Sequence, residues 1–208
     1  ALLDLLRLLL PTSADDPRPA LPRRGVVEAW RSPYYDWGTR TSPTDSTPVG
    51  IVPSDARHLD AAARAGRVIR GLGQWEEALA AWVRRGAARV AADEDDEPDG
   101  RGTQDPAAEP LALQDTFRRF VARMEPPPAG APMRAYASWV EELIGPDPLA
   151  GSDSDRARRP PDTTSLGVVR RIREARDREG GRDHADADIA ALQRLKDVLR
   201  GLVWAEDA

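Results

Sequence analysis

The chain has 208 residues, 40% of them apolar, a formal net charge of −5 and no cysteine. That length can bury about 70% of the unfolded surface, so one domain, or a domain with a subdomain, is expected to fold without a covalent staple. The lack of cysteine excludes disulfides, thiolate nucleophiles and cysteine-bound zinc, and the acidic balance argues against coating of nucleic acid by overall charge, leaving local arginine clusters as the route to phosphate.

The opening ALLDLLRLLL is interrupted by Asp4 and Arg7 and falls short of the roughly 20 apolar residues a bilayer span needs. It predicts a buried helix over Leu2 to Leu10. With no initiator methionine and an apolar helix at the first residue, the chain reads as a fragment of a longer polypeptide. A second helix is expected over Arg23 to Arg31, stopped by RSPYYDW (Arg31 to Trp37). The aromatics of that stretch are expected to plug the core between the first pair of helices and the next. Further helices are predicted over Asp55 to Arg70, Gln74 to Ala91, Leu111 to Glu125, Pro132 to Ile144, Ser165 to Arg176 and Asp186 to Trp204. The warrant is spacing: Trp75, Ala78, Leu79, Trp82 and Val83, and again Tyr136, Trp139, Val140, Leu143 and Ile144, fall at i, i+3, i+4, i+7 and i+8. Trp82 and Trp139, central in these stripes, are expected to be largely buried. No window of comparable length alternates with period two. The expected fold is all-α, an irregular bundle of about eight helices in a single domain spanning 1–208.

Stretches rich in proline, glycine, serine and aspartate separate these helices, and proline both fixes φ and removes a donor. PTSADDPRPALP reads as loop. A disordered acidic loop is expected at 93–110, where DEDDEPD has no apolar area to offset ordering entropy, and a flexible loop at 146–163.

Candidate chemistry is sparse. In RDHADAD, Asp183, His184, Asp186 and Asp188 are possible ligands for a divalent cation, but they lie where a helix begins, and carboxylates complement a helix N-terminus. Asp95, Glu97, Asp99 and Gly100 approach a calcium-loop pattern that fails at Pro106. GLGQWE lacks the third glycine of a dinucleotide fingerprint and reads as a turn between helices. No Gly-Lys pair exists for a phosphate loop, and Pro146-Asp147 has no downstream carboxylate-x-Lys partner, because the single lysine, Lys196, follows Arg194 by two places. His58 and His184 could be combined with many serines, yet no G-x-S-x-G elbow is present. A non-catalytic chain without cofactor or metal is therefore expected.

Arginines cluster in VRRGAAR (Val83 to Arg89), RARR (Arg156 to Arg159) and VRRIREARDREGGR (Val169 to Arg182). Arg170, Arg171, Arg173 and Arg176 are the candidate phosphate-contacting face; interleaved Glu174 and Asp177 offer instead a salt-bridged helix surface.

Taken in order, ALLDLLRLLL, PRRGVVEAWRSPYYDW, DARHLDAAARAGRVIRGLGQWEEAL, LQDTFRRFVARMEPPPAGAPMRAYASWVEELIG and ADADIAALQRLKDVLRGLVWAEDA resemble the helical insertion region of AddB-type helicase–nuclease B subunits. Those proteins are similar to UvrD/Rep-like superfamily I helicases, where an apolar helix and an Arg-Ser/Thr-Pro turn open the helical 2B subdomain. The resemblance implies a helical accessory domain of a cytoplasmic DNA-repair assembly. It would position duplex DNA, weakly, or dock the remainder of the parent chain and its partner subunit. Where UvrD-type chains follow the turn with Gly-Ile-Gly, this chain has Tyr34-Tyr35-Asp36-Trp37, and no residues match the family's ATP site, iron–sulfur cysteines or nuclease domain. A helical protein-interaction module unrelated to DNA is the alternative.

Overall fold

The computed structural model describes residues 2–9, 11–13, 16–37, 49–52, 54–93, 108–145, 165–176 and 182–206, with backbone alone at 11–13, 16–18, 89–93, 108 and 182–183. Among them are eight helices: α1 (Leu2–Leu9), α2 (Arg23–Arg31), α3 (Asp55–Ala65), α4 (Leu72–Asp93), α5 (Ala108–Arg123), α6 (Met133–Ile144), α7 (Val168–Arg176) and α8 (Arg182–Glu206). The protein is all-α, as the three-four spacing predicts. One element was not expected: β1 (Pro11–Ser13) pairs antiparallel with β2 (Asp16–Pro19) in the proline-rich stretch read as loop. Prolines survive there because a two-stranded ribbon consists only of edges, where a missing donor can face away from the ladder.

Contacts divide the chain into two compact units, Ala1–Ser32 with Val49–Glu125, and Pro33–Pro48 with Pro126–Ala208. In the first unit α1 packs on α2, α2 on α3, α3 on α4, and α5 on both α3 and α4. Its centre is aromatic. Trp75 and Phe117 lie with centroids 5.1 Å apart, and Trp30 and Phe120 5.7 Å apart, edge to face. The Trp75 indole donates to the Leu21 carbonyl at 2.8 Å, while Leu21 itself donates to Leu8 at 3.0 Å. Two long-range hydrogen bonds and a buried side chain thus hold Leu21 at φ +38°, a conformation leucine rarely adopts.

The end of α3 comes five residues earlier than the sequence predicts. Val68 N–H bonds the Ala63 carbonyl and Arg67 N–H the Arg64 carbonyl, a Schellman closure with Arg67 in the left-handed region at φ +55°. Gly66 precedes it because α4 passes against that position: a Cβ there would collide with the Ala78 side chain and backbone. Gly71, at φ +86°, then makes the turn expected of GLGQWE, and the Gln74 side-chain oxygen accepts from the backbone N–H groups of Ile69 and Arg70. At its start, α5 begins at Ala108, before the predicted Leu111, and includes Pro110; the first turn needs no donor there.

In the second unit α8 packs on both α6 and α7. Val140, Leu143, Ile144, Val169, Ile172 and Leu192 fill the core. Lys196 is buried among them at 2% exposure and donates from Nζ to the Gly145 carbonyl at 2.6 Å. Gly145 is the C-cap of α6, so the one lysine places its charge at the negative end of that helix.

Two expectations about aromatic residues are corrected. Trp82 and Trp139 are half-buried, not core residues; the buried tryptophans are Trp30, Trp37 and Trp75. In α4 the buried positions Trp75, Ala78 and Leu79 fall within its first eight residues, and Trp82 lies beyond them. In α6 the buried face centres on Ala137, Val140 and Ile144, which puts Trp139 at its margin. The RSPYYDW stretch is likewise divided. Ser32 N–H closes α2 on the Ala29 carbonyl at 3.3 Å, but Tyr35, Asp36 and Trp37 belong to the second unit and do not plug the core between the first helices.

The expected 93–110 and 146–163 loops lie outside the described residues except at the ends of α4 and α5.

Candidate functional site

Asp36 organises the arginines that the sequence offers as a phosphate face. Its backbone N–H donates to the Leu166 carbonyl at 2.7 Å, and Leu166 N–H donates to Leu143 at 2.8 Å, so the extended segment after Pro33 is tied to the start of α7. Gly167, at φ +63°, permits the approach: a Cβ there would sit 3.2 Å from that of Asp36 and 3.3 Å from the Arg170 guanidinium. The buried Asp36 carboxylate pairs directly with Arg170, and Arg171 stands 3.9 Å away. Glu174 takes both arginines from the other side, Arg171 at 3.2 Å and Arg170 at 3.8 Å. Two guanidinium groups thus share two carboxylates. Arg176 pairs with Asp186 of α8 at 3.3 Å. Arg173 lies on the same helix, half-exposed.

The other candidates separate. His184 and Asp186 are exposed and Asp188 half-buried in the first turns of α8; Asp183 lies there too, outside the described side chains. Among the described residues, no three metal-ligating side chains come together. His58 Nδ1 lies 2.7 Å from Glu109, linking α3 to α5. Arg84 and Arg85 are exposed on α4. Arg89 lies outside the described side chains. The near-calcium loop, Pro146-Asp147 and RARR lie outside the described residues.

Sequence reasoning missed a second arginine cluster. Asp60 of α3, its carboxylate only 12% exposed, pairs directly with Arg64 one turn on, with Arg23 of α2 at 4.0 Å and with Arg31 at 3.9 Å. Three guanidinium groups surround one carboxylate. The Asp60–Arg64 spacing in DARHLDAAARA was the available signal, but Arg23 and Arg31 reach Asp60 only through the packing of α2 on α3.

Apolar surface is exposed on α8, where Val198, Leu202 and Trp204 are 53%, 44% and 80% accessible. No helix among the described residues is long and apolar enough to cross a membrane.

No protein-family model, curated protein or solved structure matches the chain.

Proposed function

We propose that this chain is a non-catalytic helical accessory domain of a DNA-repair helicase–nuclease, docking neighbouring domains or the partner subunit, as its resemblance to the 2B-like insertion of AddB-type proteins implies. The observation that carries docking over duplex positioning is the neutralisation of the α7 arginines. Arg170, Arg171 and Arg176 are paired with Asp36, Glu174 and Asp186 of the same chain, so a phosphate would have to displace carboxylates already in place. The exposed Val198 and Leu202, one turn apart on α8, support the same reading, because neighbouring exposed apolar side chains suit a protein partner. They equally suit an interaction module outside DNA repair. Co-expression with a helicase subunit of such an assembly separates the two: co-elution in size-exclusion chromatography is expected, and separate elution would favour the unrelated module. The purified chain is expected neither to hydrolyse ATP nor to cleave DNA with magnesium or manganese. Cleavage abolished by Asp186→Ala or His184→Ala would restore an enzyme.

A further inference from the structure

The arginine cluster around Asp60 differs from that around Asp36 in what it leaves over. Arg23, Arg31 and Arg64 all lie within 4.0 Å of one carboxylate, a local surplus of two positive charges. At 4.0 and 3.9 Å, Arg23 and Arg31 are too far for hydrogen bonds to Asp60 and keep donors for another acceptor. The surplus extends beyond the trio. Residues 23–31 and 55–71 contain seven arginines against three carboxylates, Glu28, Asp55 and Asp60. Of these carboxylates, Glu28 is engaged by Arg24 at 2.7 Å and Asp55 accepts from Val52 N–H at 2.9 Å.

An apolar side chain stands in the same surface. Ile69 is 73% exposed, and its carbonyl accepts the backbone N–H of Arg23 at 3.0 Å while its own N–H donates to Gln74 at 2.8 Å. Its backbone is therefore fixed beside the arginines before any partner arrives, which lowers the ordering cost of binding.

We propose that this α2–α3 face docks an acidic amphipathic polypeptide segment, with Arg23, Arg31 and Arg64 taking carboxylates and Ile69 seating in its apolar side. This deepens the docking reading and rests on it. Arg23 and Arg31 lie eight residues apart on α2 yet both reach the one Asp60 carboxylate, so their guanidinium groups converge and present closely spaced donors to the carboxylates of a partner segment. The centre of the trio is filled by Asp60, which turns away a single small anion and leaves the outer edges of the guanidinium groups for separate acceptors. Ile69 decides against nucleic acid: an exposed aliphatic residue beside arginines gains from an apolar partner surface and nothing from a phosphodiester backbone.

The test uses the full chain and three fluorescein-labelled probes: a synthetic helical peptide with glutamates on one stripe and leucines on the adjoining one, the same peptide with glutamine for glutamate, and a duplex of about 20 base pairs. Anisotropy at low salt is expected to show the acidic peptide binding at least about tenfold more tightly than either other probe. Arg31→Glu with Arg64→Glu should weaken it about tenfold or more, and Ile69→Ser about tenfold. The milder Arg31→Gln, with an unchanged circular dichroism melt, guards against misfolding. Duplex binding equal to or tighter than peptide binding, with Ile69→Ser silent, would overturn the proposal in favour of nucleic acid. Absence of peptide binding at low salt would overturn it outright. Because no helicase subunit is present, this result is independent of whether the chain belongs to such an assembly.

Discussion

Two buried carboxylates, one in each unit, gather arginines and arrive at opposite results. Asp36 ties the segment after Pro33 to α7 and shares Arg170 and Arg171 with Glu174, so the charges balance. Asp60 ties α2 to α3 and faces three arginines alone. The difference teaches that an arginine-rich helix is a poor guide to a basic surface. VRRIREAR looks basic and is neutralised in place, whereas the arginines left in surplus around Asp60 come from two helices, Arg23 and Arg31 from α2 and Arg64 from α3. Electrostatic surplus depends on which carboxylates pack against a cluster, and packing crosses long stretches of sequence.

The largest expected effect removes the frame that carries Asp60. Trp75→Ala deletes a fully buried ring and its hydrogen bond to Leu21, and should cost about 3–5 kcal/mol, whereas Trp82→Ala, half-exposed on the same helix, should cost less than about 2. Urea unfolding followed by far-ultraviolet circular dichroism measures both, and equal losses would sink the assigned burial.

Next comes the comparison itself. Arg170→Ala leaves the Asp36 carboxylate, 10% exposed, with Arg171 at 3.9 Å, and a loss of about 2–3 kcal/mol is expected. Arg23→Ala should cost less than about 1 kcal/mol, because Arg64 and Arg31 remain at Asp60. Thermal unfolding of both variants side by side should show the larger fall for Arg170→Ala; the reverse order would mean that Asp60 is the more isolated charge.

Two helix ends sharpen the contrast with smaller effects. In the second unit, Lys196→Met keeps the aliphatic volume but takes the donor from the Gly145 carbonyl, and should cost about 1.5–2 kcal/mol. An unchanged melting temperature would show that the carbonyl finds water. In the first unit, Arg67→Gly should stabilise by about 0.5–1 kcal/mol, since relief of the left-handed conformation exceeds the added entropy of the unfolded chain. A destabilised variant would place Arg67's value in its side chain.

Much of the secondary structure is legible locally. The three-four stripes of α4 and α6 predict helices, and α2 has the bounds its sequence predicts because Pro22 sits before it and Ser32-Pro33 after it. The α3 terminus was not legible. Nothing in AGRVIR marks Arg67 as left-handed, and the stop depends on the close passage of Ala78 over Gly66. Of the candidate site, the α7 arginines and Glu174 could be read from helical spacing, but Asp36, 134 positions before Arg170, could not.

The sequence by itself determined helix class and the turns at glycine and proline, because apolar periodicity and backbone restriction act over a few residues. Tertiary structure alone decided that Tyr35 to Trp37 join the second unit, that Trp75 is buried while Trp82 is half-exposed, and which carboxylate meets which arginine. Those outcomes depend on close packing and charge pairing between distant segments, whose energies depend on distance in space and have no counterpart in local spacing.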